Sequence, residues 1–256
     1  MSEFVNPLRA LWKKNQCAVN GWIAMPGIIS AEAMGKAGWD SLTVDMQHGT
    51  ADYCDLLSIL PVIERWGVVP LVRVPWPEPA WVMRALDAGS LGVIAPMIEG
   101  PEDAANFVAM CRYPPDGARS FGPIRARIAH GDDYAKSANR EILPIAMIET
   151  RSALDQLDDI LAVPGLGAIY IGPADLSLSL GFPPGFDREE PEMLEVIERI
   201  LGSCRKAGVP ACIHCGSPTY ARRMAEKGFS LTTISSDARF VEQGAAAAVS
   251  TFRKLD

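Results

Sequence analysis

The sequence predicts a (β/α)8 barrel, the TIM-barrel form of the α/β class, spanning residues 1–256 as one domain. Three observations carry this. Eight short apolar runs recur along the chain: Cys17–Met25, Ser41–Asp45, Val68–Val74, Leu91–Met97, Ile142–Ile148, Gly167–Gly172, Val209–Cys215 and Ser230–Ser235. Segments of helical character separate them, the alternation expected of a parallel sheet with crossover helices. The runs are apolar almost throughout, which suits strands covered on both faces. The length of 256 residues matches one such barrel, and a hydrophobic content of 48% is enough for its core.

Between the first two runs, Ser30-Ala31-Glu32-Ala33-Met34 reads as a helix start capped by Ser30, with Gly38 as the stop. After the fourth run, Pro101-Glu102-Asp103-Ala104 places Pro and two acids in a first helical turn, where fixed φ and the helix dipole favour them. Tyr113–Asp132 reads as an irregular segment carrying Arg119, Arg125, Arg127 and His130, with His130 facing solvent. Gly181–Glu190, with its Phe-Pro-Pro-Gly-Phe, is a second irregular segment. Both are placed at the active face, because long loops in compact domains are often functional. Glu190–Gly208 is a long amphipathic helix. Asp237–Lys254 is a final Ala-rich helix, slim enough at Ala245–Ala248 for another helix to approach, either of the barrel wall or of a second subunit.

The formal charge of −7 disfavours nucleic acid and acidic membranes as partners. Of the six cysteines only Cys212 and Cys215 are closely spaced, and no second Cys/His pair completes a zinc tetrahedron, so structural thiols are expected. Met1-Ser2-Glu3-Phe4 lacks the pattern of a signal peptide, and no apolar stretch is long enough for a bilayer. A reduced cytoplasmic setting is the expectation.

In such barrels chemistry gathers at the C-terminal ends of the strands. Two runs end there in an acid: Ile148-Glu149-Thr150, and Gly172-Pro173-Ala174-Asp175. Two carboxylates with room for water and substrate oxygens suit a hard divalent cation. The second run ends Asp45-Met46-Gln47-His48, and the third contains Arg73. Asp87 lies late in the helix after the third run. The set supplies a metal site for an anionic substrate, an arginine for oxyanion charge and a histidine for protons. Each member also has an ordinary reading, as a turn residue, a cap or an ion-pair partner. His214 faces the pocket or is a buried, hydrogen-bonded histidine, and the sequence leaves both open. Every lysine (Lys13, Lys14, Lys36, Lys136, Lys206, Lys227, Lys254) falls outside the eight runs, which disfavours a Schiff base. No phosphate-binding glycine motif occurs.

Val44-Asp45-Met46-Gln47-His48-Gly49, Val72-Arg73-Val74-Pro75, Tyr113-Pro114-Pro115-Asp116-Gly117-Ala118-Arg119, Ile148-Glu149-Thr150 and Tyr170-Ile171-Gly172-Pro173-Ala174-Asp175-Leu176-Ser177 together resemble the HpcH/HpaI aldolase family, in order and over nearly the whole chain. The resemblance implies a metal-dependent pyruvate aldolase, hexameric as a dimer of trimers, with the C-terminal helix exchanged between subunits. It implies Glu149 and Asp175 as ligands of Mg²⁺ or Mn²⁺, with Co²⁺ or Zn²⁺ as further candidates. It implies Arg73 on the enolate oxygen and His48 in proton transfer, oriented by Asp87, with Asp45 the second candidate. Gly172, Pro173 and Ala174 would shape the carboxylate site of a 2-oxo acid, and an aldehyde acceptor would lie under the Arg119–His130 segment. Gln47 stands where many members have Glu, and Met147 where Gln is common. Two other readings stay open: a citramalyl- or malyl-type CoA-ester lyase, and a barrel that binds metal and oxo acid without turnover.

Overall fold

In the computed structural model, which describes residues 4–254, eight parallel strands follow one another in chain order and close where β1 pairs with β8. They are β1 Ala18–Ile23, β2 Ser41–Asp45, β3 Val69–Arg73, β4 Gly92–Ala95, β5 Leu143–Ile148, β6 Ala168–Ile171, β7 Ala211–Cys215 and β8 Leu231–Ile234. Each falls within one of the eight apolar runs. α1 Pro7–Lys13 precedes β1; α2 Ile28–Gly35, α3 Tyr53–Arg65 and α4 Pro79–Asp87 follow the first three strands. α5 Pro101–Cys111, α6 Ile124–His130 and α7 Tyr134–Glu141 fill the crossover from β4 to β5. α8 Arg151–Asp155 and α9 Leu157–Leu161 follow β5, and α10 Pro173–Ser179 and α11 Pro191–Ala207 follow β6. α12 Pro218–Lys227 and α13 Asp237–Arg253 complete the chain. Met1, Ser2 and Glu3, read above for a leader, lie outside the described residues.

Every position of β2, β4, β5 and β6 is buried, because inward side chains fill the barrel and outward ones meet the helices. Helix ends follow local chemistry. Asp52 and Asp55 form a reciprocal capping box at α3, and Gly208 takes the left-handed conformation (φ 69°) that stops α11. The expected Ser30 cap is corrected: α2 begins at Ile28 after Gly27, and Ser30 lies inside it, donating to Asp237 at 2.6 Å. The hydroxyl finds a buried carboxylate there instead of a free backbone N–H.

Strands run towards the mouth and helices run back, so a helix ends at the N-terminal face of the strands. This geometry overturns one expectation. The Tyr113–Asp132 segment follows α5, not a strand, and so sits at the face opposite the mouth. Part of it is α6, whose His130 Nε2 donates to the Gly89 carbonyl (3.0 Å) and whose ring stacks on Phe4 (4.9 Å) instead of facing solvent. The same face is closed by α1, which Asn6 ties to the Leu91 and Glu141 carbonyls. The Gly181–Glu190 segment is irregular, as expected, and does reach the mouth through Phe186.

α13 departs from the barrel after its first turn. Its residues from Arg239 onward are exposed, including Val241, Val249 and Phe252. The barrel wall that a last helix would cover is left as a groove lined by Cys17, Val19, Ala221, Ala225 and Ile234. No helix among the described residues is long and apolar enough to cross a membrane.

Candidate active site

A cavity of about 270 Å³ opens at the C-terminal ends of the strands. Glu149, one residue past β5, lines it. So do Asp175, in the first turn of α10, Arg73, the last residue of β3, and His48, on the loop after β2. Gly172 and Ala174 line it as well, and Pro173 opens α10 between them. Four strands, β2, β3, β5 and β6, therefore deliver the predicted group, apart from one member, to a single cavity.

Glu149 is only 2% exposed, and its Oε1 accepts the Met97 N–H at 2.8 Å. Burial pushes its carboxyl up to about 7; the Met97 N–H opposes the rise and the Asp175 charge adds to it. The other oxygen faces Gly172, where any Cβ would collide with it, so glycine is required for this carboxylate to stand as it does. Asp175 is exposed to the cavity at the start of α10. The Ala174 and Asp175 N–H groups belong to that first turn, which has no preceding carbonyls to satisfy it and favours an anion. A buried carboxylate that is hard to ionise alone, beside a second one, is a donor set that fits a divalent cation.

Arg73 is held by Asp45 through two hydrogen bonds, Nε to Oδ1 at 2.8 Å and Nη2 to Oδ2 at 2.7 Å. Burial would raise the Asp45 carboxyl, but the bonds and charge of Arg73, with help from the Trp22 indole and the Gln47 N–H, hold it below its ordinary value. The guanidinium lies over the Trp22 ring at 4.9 Å. Asp45 also accepts the backbone N–H of Gln47 (3.0 Å) and, more weakly, of His48 (3.4 Å), so one carboxylate positions the arginine and the histidine loop together.

Asp87 is not brought to this group. It ends α4 at the opposite face, where it accepts from Arg119 at 2.7 Å, and within one chain it makes no hydrogen bond to His48. Its role beside His48 was implied by the resemblance alone, and the direction of α4 carries it away from the His48 of its own chain.

Trp22 and Arg239 line the cavity without having been singled out from the sequence, beside Tyr170, quoted above only within a motif, and Phe186, from the segment placed at the mouth. Their signal was available in part. Asn20 and Trp22 share the inward parity of β1, and a polar Asn in an apolar strand marks a polar interior. Arg239 could not be placed, because it arrives from α13 to sit over Phe186 at 5.3 Å. His214 answers to both of its open readings: it lines the cavity, and its Nδ1 is hydrogen-bonded to the Tyr170 hydroxyl at 3.1 Å.

A closed barrel gathering two carboxylates, a guanidinium and an imidazole at its mouth has the architecture of an enzyme for small oxygenated anions. Residues 22–241 match the model of the HpcH/HpaI aldolase/citrate lyase family, and the chain belongs to that family. It is 36% identical to the hydroxypyruvate/pyruvate aldolase of Rhizorhabdus wittichii, over 98% of this chain and all of the relative. It is 34% identical to the 2-dehydro-3,6-dideoxy-6-sulfogluconate aldolase of Pseudomonas putida, over 88% of each. An HpcH/HpaI aldolase/citrate lyase family protein from Burkholderia cenocepacia superposes with a TM-score of 0.90 at 32% identity, covering 97% of this chain and all of that one. The chain is an enzyme of the aldolase type, a carbon–carbon lyase.

Proposed function

We propose that this aldolase is divalent-metal dependent. It would form the enolate of pyruvate or hydroxypyruvate and add it reversibly to an aldehyde, so that it cleaves 4-hydroxy-2-oxo acids. The observation that carries this reading is the buried Glu149 carboxylate facing Asp175 and Gly172 in the cavity that also holds Arg73. The names of the relatives from Rhizorhabdus and Pseudomonas agree with a 2-oxo-acid aldolase.

Glu149 and Asp175 would hold Mg²⁺ or Mn²⁺, with Co²⁺ or Zn²⁺ as further candidates. The bound ion supplies Lewis acidity toward the 2-oxo acid. The first turn of α10 offers the Ala174 and Asp175 N–H groups to the substrate carboxylate. Arg73 keeps its charge at any working pH, and Asp45 fixes its fork, so it stabilises the oxygen that becomes negative as C3 loses its proton. His48, exposed at the rim, moves that proton through water. Asp87 can act on His48 only from a neighbouring copy, because the two lie at opposite faces of one barrel.

A homo-oligomer, a hexamer built as a dimer of trimers, is part of the proposal. α13 extends exposed apolar side chains beyond its own barrel, while the adjacent groove on the wall is open. Exchange of α13 between copies would cover both. Phe121, Ile124 and Ile128 expose a second apolar patch on the face that carries Asp87.

Proton NMR of pyruvate in D₂O tests the reaction. Loss of the methyl signal with enzyme and Mg²⁺ or Mn²⁺, abolished by EDTA, is the expected result. Exchange that survives EDTA sinks the metal assignment, and absence of exchange with both pyruvate and hydroxypyruvate sinks the enolate.

A further inference from the structure

The barrel interior beneath the cavity carries a continuous line of polar side chains, unusual where apolar layers normally fill a barrel of this size. Asn20 Oδ1 accepts from the hydroxyls of Ser41 (2.8 Å) and Thr43 (3.2 Å). Its amide nitrogen therefore faces the other way and donates to Thr233 Oγ1 at 2.9 Å. Thr233 and the Tyr170 hydroxyl are 2.6 Å apart, and the Tyr170 hydroxyl is 3.1 Å from His214 Nδ1.

The direction of each remaining bond is the one that leaves no hydroxyl hydrogen of the line without an acceptor among the described residues. A hydroxyl has one hydrogen to give. Thr233 accepts from Asn20 and has a second lone pair, but among the described residues Tyr170 offers the one acceptor for its own hydrogen, so Thr233 donates to Tyr170. Tyr170, accepting from Thr233, gives its own to His214. In that arrangement Nδ1 is an acceptor, and the ring proton of a neutral imidazole sits on Nε2.

Nε2 has no partner in the chain among the described residues, and His214 lines the cavity. The ring is set edge-on to Trp22 at 4.9 Å and beside Phe186 at 4.7 Å, which leaves it little freedom to turn. Burial, aided by the charge of Arg73 and of Arg239 and opposed by Asp45, pushes the imidazole down to about 3, so it stays neutral.

We propose that His214 is a specificity-determining residue, presenting a fixed, neutral Nε2–H that reads an uncharged oxygen on the substrate beyond its carboxylate and 2-oxo groups. The inference rests on the aldolase reading above. A neutral donor adds no charge where Arg73 already supplies it, but left unpaired it penalises a substrate with carbon at that point. The oxygen is either a hydroxyl on the reacting carbon of the nucleophile, which hydroxypyruvate has and pyruvate lacks, or an oxygen of the aldehyde.

Two measurements test this. With histidine the only ¹⁵N label, the wild-type ring of His214, assigned by its loss in His214→Phe, should show the Nε2–H tautomer. Tyr170→Phe, which removes the donor to Nδ1, should allow the tautomers to mix. A wild-type Nδ1–H tautomer overturns the proposal, because Nε2 would then be an acceptor. The second measurement is a pair of kcat/KM ratios: hydroxypyruvate over pyruvate with one aldehyde, and glycolaldehyde over propionaldehyde with one nucleophile. His214→Phe should lower one of them roughly tenfold, the scale of one hydrogen bond, and the ratio that falls names the source of the oxygen. His214→Gln, which keeps an N–H donor, should restore part of it. Wild-type turnover with both ratios unmoved in a folded His214→Phe overturns the proposal alone, whereas no wild-type turnover counts against the aldolase reading.

Discussion

At the mouth of the barrel, Arg73 meets Asp45 through two bonds of 2.8 and 2.7 Å; at the opposite face, Arg119 meets Asp87 at 2.7 Å. Each is paired with one aspartate, by two bonds for Arg73 and one for Arg119, and the two arginines differ further in what surrounds them. Arg119 is enclosed, with Tyr113 4.5 Å away on one side and the Tyr134 ring at 5.6 Å and its hydroxyl at 3.1 Å on another. Arg73 keeps one face toward the cavity that Glu149 and Asp175 line. An ion pair therefore does not by itself mark an active site. The mouth leaves charge unspent: a buried carboxylate whose partner is a second carboxylate, and a guanidinium whose anchor occupies only part of its fork. At the opposite face the arginine's charge is absorbed by the fold.

The largest expected effect tests that unspent charge directly. Glu149→Gln or Asp175→Asn should lower kcat by a factor on the order of 10³ or more, since each removes a ligand from a Lewis-acid site worth several kcal/mol. Thermal unfolding should change little in the absence of metal, and Glu149→Gln should if anything raise the midpoint, because it removes a carboxyl that burial already disfavours. A variant that keeps near-normal turnover removes that residue from the metal site.

Exchanging the two arginines' fates is the next comparison. Arg73→Lys should cost roughly 10² in kcat/KM, because a point charge cannot reproduce the fork, with a small change in stability. Arg119→Met should do the reverse in sign of emphasis, destabilising by about 3 kcal/mol through the loss of a buried pair and two ring contacts. Urea unfolding and steady-state kinetics on both variants separate the cases. An Arg73 variant that mainly unfolds would make that arginine structural too.

Asp87 sharpens the contrast further, since its face is remote from its own His48 but open to another subunit. His48→Asn and Asp87→Asn should each be impaired. Mixed oligomers of the two should regain part of the activity if Asp87 serves a neighbour's histidine. No recovery on mixing, in oligomers shown by mass measurement to contain both chains, would leave Asp87 as a partner of Arg119 alone.

Most of the fold could be read from the chain because it depends on local rules: a strand covered on both faces is mostly apolar, and all eight such runs became strands. Glu149, Asp175, Arg73 and His48 were legible for the same reason, as polar residues that interrupt or end those runs. That Asp87 and the Arg119–His130 segment lie at the face opposite their own mouth could not be read, because their position depends on helix direction, a property of the closed barrel and not of any spacing. The role of Asp45 as anchor of Arg73 needed the β2–β3 register, in which the two residues are directly opposite. The polar line from Asn20 to His214 was hidden for a similar reason. Its members are scattered over β1, β2, β6, β7 and β8, and only closure of β8 on β1 brings Thr233 beside Asn20.

That line also supplies the smallest effect. His214 takes up a proton at its ordinary value of 6.5 in the unfolded chain, but only near 3 in the folded one. Between those values the unfolded state binds the extra proton, so stability must fall as pH falls, by at most about 1.4 kcal/mol per pH unit for one group. The contribution is unaffected above 6.5 and is spent below 3. Most other titrating groups are shared with His214→Phe and cancel when the two proteins are compared. The difference in unfolding free energy between wild type and His214→Phe, measured in urea at pH 7.5, 6 and 5, should therefore shift steadily against the wild type on acidification. A difference independent of pH would mean that the folded ring accepts a proton as readily as the free one, and the neutral donor assigned to the cavity would be lost at mildly acidic pH.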